Sequence, residues 1–423
     1  MKLLNIIAAV ACIALSLTPS SFGVVAQSLV PVKWNSQDVA PKPIIREGKN
    51  TETALIDSLV KILESRPDDA LKAIDAVIAE NPNFRLAYLI KGDLLLARSQ
   101  ALSTLGNTSK AGTSVNEMRE EAKARLAHHL NAPPLDLAPQ QILKMSADQP
   151  YALLVDTSRS RLYVYKNQNG QPRYVTDYYV SSGKNGAEKF REGDQKTPIG
   201  VYNVVGHLSR AQLSDFYGPG AFPISYPNEW DRIEGKKGHG IWLHGTPSDT
   251  YSRAPRSSNG CVVLANQDLE DLAKYVRIGV TPVIISAKAE WVEPEKWQGE
   301  RERVLTALET WRRDWESRDT KRYASHYHQR FVGEGKDLAR WTAQKRVANS
   351  SNDRTVVDIA NVSIYAYPGV KNMVVVSFDQ DYRNNNVSNQ TKKRQYWIKE
   401  NYRWQIVFEG DVESPPTWIA KRS

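Results

Sequence analysis

Between residues 52 and 130, apolar side chains recur at steps of three and four: Leu55, Leu59, Ile62 and Leu63, then Leu71, Ile74 and Ile78. That spacing lays them along one stripe of an α-helix. Asn81-Pro82 interrupts the stripe, and Ala87, Leu89 and Gly92 lie beyond it, so residues 70–99 read as two helices joined by a turn. After Pro150 the period changes. Ala152–Val155 and Leu162–Tyr165 are short apolar or alternating runs joined by Thr157-Ser-Arg-Ser160, which predicts a hairpin. Further strands are predicted at Tyr174–Val180, Gly200–Val205, Gly240–Leu243 and Thr281–Ser286. A helix is predicted over Gln267–Val276, with Asn266 as its cap and Leu269, Leu272 and Val276 on one face. Beyond residue 299, Val304, Leu308, Trp311 and Trp315 mark an amphipathic helix, and Tyr323, Tyr327 and Phe331 continue at four-residue spacing as a second. Strand patterns follow at Val356–Tyr367, Met373–Tyr382, Lys393–Lys399 and Tyr402–Glu409. Helices followed by long antiparallel strands predict an α+β domain whose curved sheet wraps a helix.

These shifts of texture divide the chain. Residues 1–26 have the form of a removable export signal: Lys2, an apolar stretch from Leu3 to Leu17, and Val24-Val25-Ala26 before Gln27. The apolar stretch is shorter than the ~20 residues that span a bilayer, so a cleaved leader, a periplasmic address and no stable membrane span are expected. A linker follows at 27–47, a helical arm at 48–130 and a proline-rich linker at 131–149. A mainly-β domain at 150–288, a linker at 289–299 and the α+β domain at 300–423 complete the multidomain reading. The arm must bury its apolar stripe, either as a cap on the next domain or by pairing with a second copy or another protein.

Composition narrows the class without choosing a partner. A hydrophobic fraction of 41% and a mean hydropathy of −0.50 exclude a polytopic membrane protein and a mostly disordered chain. The formal charge of +9 is spread along the sequence and suits many anionic partners. Aromatic and basic residues interleave over 363–404, but alternating strands account for that pattern, and nucleic-acid binding is not expected of an exported chain. Cys12 lies in the leader, so Cys261 is the one cysteine after it, and no internal disulfide can form.

Two segments carry the candidate chemistry: Gly240-Ile-Trp-Leu-His-Gly-Thr-Pro247 and Ser257-Ser-Asn-Gly-Cys-Val-Val-Leu264. On a short strand Ile241 and Leu243 face one way, Trp242 and His244 the other, with Gly245 permitting a turn after His244. Gly260 lets the backbone turn tightly before Cys261 and lets a substrate carbonyl approach the sulfur. A thiol attacks as thiolate, and an imidazole within hydrogen-bond reach both favours that form and relays the proton. Backbone N–H groups at Gly260 and Cys261 are candidate oxyanion donors. Spacing alone leaves two readings open: a thiol acyl-transfer site, or a structural cysteine beside a core histidine. Lys184, Arg253 and Arg256 are candidates for holding a substrate carboxylate, since charge-assisted hydrogen bonds favour such side chains. Asn259 and Trp242 are further candidate substrate contacts, and His239 reads as a solvated loop residue. No metal or other cofactor is expected: His128 and His129 are adjacent without a second pair, and His326 and His328, two apart on the predicted helix, face different sides.

His244-Gly245 followed by Ser258-Asn259-Gly260-Cys261 resembles the signature of the YkuD-type L,D-transpeptidase family, and Gly193-Asp194-Gln195-Lys196-Thr197-Pro198-Ile199-Gly200-Val201-Tyr202 resembles a second stretch of that family. The resemblance covers about residues 150–288 and implies a β-rich catalytic fold. Cys261 would be the nucleophile and His244 the general base and acid, its other ring nitrogen oriented by the carbonyl of Gly245. Two positions depart from the pattern. Asn259 stands where many members have His, which alters substrate contacts, and Val263 stands where many have Arg or Asn, which removes a polar partner from the acyl-acceptor region. The helical arm resembles a single tetratricopeptide-type hairpin, and the last domain resembles the NTF2-like fold, a cone with an open pocket. All three together resemble the L,D-carboxypeptidases that trim wall peptides in helical bacteria. The implied substrate is a peptidoglycan stem tetrapeptide, cut with release of D-alanine and passed to an amine or to water. The competing class is a non-catalytic wall-binding scaffold built from the arm and the NTF2-like pocket.

Overall fold

The computed structural model describes residues 51–108, 112–349, 355–385 and 388–412. The expected leader at 1–26 and linker at 27–47 lie outside these residues. The chain forms two compact units. One comprises the N-terminal part through Ala132 together with Asp249–Pro255, and the other comprises Pro133–Ser248 and Arg256 onward.

Among its described residues the first unit contains four helices, Thr51–Leu63, Pro67–Glu80, Arg85–Leu96 and Thr113–Leu130. Proline opens the second, where its missing N–H costs nothing, and Asn81 ends it, with its amide donating to Thr51 Oγ1 at 2.7 Å. Leu55, Ile74, Val77, Phe84, Leu86 and Ile90 form the core. Full burial of each such side chain contributes about 1.5–3 kcal/mol. The last helix buries charge as well: Arg125 binds Glu121 through Nε at 3.0 Å and Nη2 at 2.8 Å, and also reaches Glu52. Residues 249–255 belong to this unit even though the sequence inserts them between His244 and Cys261. The Tyr251 ring lies 4.2 Å from that of Phe84, and Ser252 Oγ donates to Glu121 at 2.6 Å.

In the second unit, the strands Gln171–Tyr179, Arg161–Gln168, Tyr151–Asp156, Pro282–Ser286 and Gly200–Asn203 lie side by side in that order. The central strands are apolar on both faces because both faces are covered. Leu153, Val155, Leu162, Val164, Val283 and Ile285 point into one hydrophobic core. Ala152, Leu154, Tyr163, Tyr165 and Ile284 point the other way, against Tyr365, Tyr367, Val375 and Tyr396 of the C-terminal sheet. A second sheet holds Val262–Val263, Trp242–His244, Gly220–Pro223 and Leu208–Ser209.

Among the described residues the C-terminal sheet has seven strands and receives one from outside its own segment. Ile142–Lys144, within the expected 131–149 linker, pairs antiparallel with Val356–Ala366. The 289–299 stretch is likewise ordered: Trp291–Val292 pairs with Ala138–Pro139, and a long helix begins at Pro294. That helix, Pro294–Glu316, lays Val304, Leu308, Trp311 and Trp315 against the curved sheet. The second helix predicted through Tyr323, Tyr327 and Phe331 is corrected. Thr320–Ala324 is a single short helix, and Tyr327–Gly333 is a strand. Four-residue spacing keeps side chains on one face in either conformation, so all three aromatics still enter one core. His326 and His328 consequently sit before and on that strand, not on one helix.

Candidate active site

The site lies where two parallel strands end side by side. Trp242–His244 pairs with Val262–Val263, Leu243 opposite Val262 and His244 opposite Val263. Cys261 precedes the second strand by one residue, level with Trp242, so Cys261 and His244 are diagonal neighbours on one face. Ile241 and Leu243 enter the core on the opposite face, as the alternation predicts. His244 is 2% exposed, whereas Cys261 is half-buried and within reach of solvent.

His244 Nδ1 lies 2.7 Å from the carbonyl oxygen of Gly245. A carbonyl only accepts, so Nδ1 carries the hydrogen, and in the neutral ring Nε2 is the basic nitrogen. Residue 245 has no room for a side chain, since a Cβ there would come within 2.3 Å of Asn266 Oδ1. Asn266, expected to cap a helix, instead accepts from the Thr246 N–H at 2.8 Å and braces the turn after His244. The helix it opens is shorter than predicted, Asn266–Ala273.

The turn before Cys261 is held from both sides. Gly260 has φ +124°, and a Cβ would stand 2.8 Å from the Lys196 carbonyl, so the conformation and the close approach both require glycine. Ser258 Oγ accepts the Gly260 N–H at 3.0 Å and donates to the Cys261 carbonyl at 2.6 Å. The expected oxyanion donor at Gly260 is therefore already engaged. Thr197 Oγ1 accepts from Gly183 N–H at 2.8 Å and donates to the Gly260 carbonyl at 3.0 Å. This gives the 193–202 stretch its physical meaning: it clamps the backbone that carries the cysteine. Asp194 shapes the preceding loop. Burial alone would lift its pKa, but the Lys189 ammonium and the backbone N–H groups of Arg191, Phe190 and Lys196 hold the carboxyl well below the usual range.

Tyr217 closes the face. Its ring centroid is 5.0 Å from that of His244 and 5.0 Å from that of Trp242. Burial pushes its hydroxyl pKa upward, and an ionised Cys261 would push it the same way. The Cys261 thiol donates to the Gly240 carbonyl at 3.5 Å. Half-exposed sulfur, a tautomer-fixed imidazole and a rigid glycine turn form an arrangement suited to acyl transfer.

Residues 150–285 match the family model of the YkuD L,D-transpeptidase catalytic domain, and residues 303–410 match that of the Cds6 C-terminal NTF2-like domain. The chain carries an L,D-transpeptidase domain. Bd1075 of Bdellovibrio bacteriovorus is 29% identical, with a TM-score of 0.59 over 66% of this chain and 98% of that one. Pgp2 of Campylobacter jejuni, described as a helical cell shape determining protein, is 26% identical with a TM-score of 0.54 over 64% and 95%. YafK of Escherichia coli K12, which bears an L,D-transpeptidase designation, is 28% identical over 131 residues, 30% of this chain. That match spans 47% of YafK, about half its length.

Around the transpeptidase domain's cysteine, the candidate substrate contacts separate. Lys184 is exposed, and its N–H donates to the Ser258 carbonyl at 2.9 Å, beside the Cys261 turn. Arg256 and Asn259 are exposed on the same segment as Ser258. Arg253 instead belongs to the helical unit. His239 is exposed on a loop and lies 3.6 Å from Glu192. Tyr217, Thr197 and Asn266 were not read from sequence as site residues, because each reaches the site through backbone turns that no periodicity records.

Proposed function

We propose that the protein is a periplasmic peptidoglycan-trimming enzyme in which the Cys261 thiolate attacks the carbonyl at the L-centre of diaminopimelate in a stem tetrapeptide. A C–S bond forms as the C–N bond to D-alanine breaks. His244 Nε2, having taken the thiol proton, returns it to the leaving amine. Water activated by the same nitrogen then cleaves the thioester, leaving a tripeptide and free thiol. The Gly260–Cys261 turn would receive the oxyanion, with the Gly260 N–H exchanging its Ser258 partner for substrate. The observation carrying this reading is the Nδ1–H bond of His244 to Gly245, which leaves the remaining ring nitrogen basic and so supports a role in proton transfer.

Water is the preferred acceptor because Val263 is buried and its backbone is paired with Ser181, so it offers an incoming amine no polar handle. Substrate location requires export, in keeping with the leader expected at 1–26. The helical arm would serve pairing with a second copy or a partner, through the exposed Tyr88 and Leu95.

The test is digestion of purified muropeptides followed by mass analysis. Loss of one alanine from monomers supports the reading; new dimers would identify an amine acceptor instead. His244→Ala is expected to lower turnover by about 10²–10⁴-fold while the fold persists. Near-normal release by folded His244→Ala, or no covalent adduct when a carbapenem is incubated with intact protein, would favour the scaffold.

A further inference from the structure

The face of the C-terminal sheet that packs on the transpeptidase domain changes character within one step along its strands. Tyr365, Val375 and Tyr396 are aligned across three neighbouring strands and form an apolar row in the shared core. Two residues along, on the same face, the aligned positions are Ser363, Ser377 and Arg394. Three strands at ~4.8 Å spacing make this polar row about 10 Å wide. Its members are tied together: Ser363 Oγ donates to the Ser377 carbonyl at 3.5 Å, and Arg394 Nε to Ser377 Oγ at 3.2 Å.

Where this row begins, the two layers part around a groove of about 290 Å³. Asn203, Ser225, Gly240 and Trp242 of the transpeptidase domain form the opposite wall. Gly240 is also the residue whose carbonyl the Cys261 thiol contacts, so one wall of the groove adjoins Cys261. Two of its cations are matched within the walls, and a third, Arg232, lines it as an exposed residue. Arg394 pairs with Glu229 at 3.1 Å, and Lys392 with Asp148 at 3.0 Å. What faces a ligand is hydroxyl, amide and indole surface among apolar side chains such as Val205, Ile224 and Val280, with no unmatched carboxylate among the described residues of its walls. Such a mixed lining suits a molecule that carries hydroxyl and amide groups on an apolar ring face.

We infer that this groove holds an N-acetylated sugar of the glycan strand while the stem attached to that strand is cut at Cys261. The inference rests on the proposed acyl transfer and adds that the C-terminal sheet supplies half of a sugar subsite. Two stem residues separate the sugar from diaminopimelate, a reach of about 7–10 Å when extended.

The test compares kcat/KM for a disaccharide–tetrapeptide with that for the sugar-free tetrapeptide. Wild type is expected to favour the first by at least about tenfold (~1.4 kcal/mol). Ser377→Phe, which fills the groove from its floor, and the milder Ser377→Ala should bring the ratio towards one, the first further than the second. A wild-type ratio near one, or variants that leave it unchanged, overturns the inference. If neither substrate is cut, the acyl-transfer reading fails and the groove is judged by binding alone. Di-N-acetylchitobiose titrated into Cys261→Ala protein should shift groove resonances of Trp242, and Ser377→Phe should abolish the shift. No shift, or binding of L-Ala-γ-D-Glu in place of the sugar, refutes the sugar subsite.

Discussion

At the scale of single residues, the site works by fixing atoms that are chemically ordinary. The Gly245 carbonyl selects one tautomer of His244, and two hydroxyls, Ser258 and Thr197, set the turn that presents Cys261. Asp194 gathers three backbone N–H groups and the Lys189 ammonium and thereby orders the loop leading to Thr197. Its folded pKa lies below the unfolded value of ~3.9, so its contribution is complete above that pH and is lost as the pH falls through the acid range. Amide exchange in residues 184–197 is therefore expected to be flat between about pH 5 and 8 once corrected for intrinsic rates, and to quicken below about pH 4. Asp194→Asn should show the quickened exchange already at neutral pH, and equal protection in the two proteins would contradict the role. His244, Gly245, Gly260 and Cys261 stood out in the sequence because motif spacing records them. Asn266 could be seen only as a helix cap, since its bond to Thr246 joins positions twenty apart through a fold that no local pattern describes.

At the scale of elements, periodicity located most strands within a few residues, and its failures are instructive. A strand and a helix share a face at four-residue steps, so Tyr323, Tyr327 and Phe331 could not distinguish them, and the aromatic core they build is the same either way. Residues 131–149 looked like a linker because Pro133, Pro134 and Pro139 cluster there, yet Ile142 and Leu143 are buried and extend a sheet. The helix Thr113–Leu130 hides its inward face behind charge, with Glu121 and Arg125 where apolar residues would be expected. Arg125 lies between two carboxylates, so Arg125→Ala leaves both without their shared cation. Loss of one buried partner of this kind costs about 3–5 kcal/mol. Denaturant titration followed by helical circular dichroism should show the helical unit unfolding earlier by that amount, while an unchanged midpoint would mean the triad contributes little.

On the scale of the whole molecule, the transpeptidase domain and the NTF2-like domain share a hydrophobic core within one compact unit. The five-stranded sheet has no solvent face to spare: Ala152, Leu154, Tyr163 and Tyr165 are covered by the C-terminal sheet. Glu229 joins the two through Arg394 at 3.1 Å and Tyr396 at 2.9 Å. Calorimetry is expected to give a single cooperative transition for these two domains, and two resolved transitions would show that the shared core is not binding them together. Sequence boundaries at 288 and 300 could not reveal this, because a run apolar on both faces says only that both are covered, not by what.

The excursion of residues 249–255 into the helical unit has a consequence for anyone re-engineering the protein. Each unit is discontinuous along the chain, so no single cut yields two intact halves. Trimming the N-terminal helices would strand Tyr251 and Ser252 without the Phe84 ring and Glu121 carboxylate that receive them. The helical module is thus sewn into the catalytic chain and cannot be exchanged as a cassette: a graft would have to carry the seven-residue stitch along with the helices.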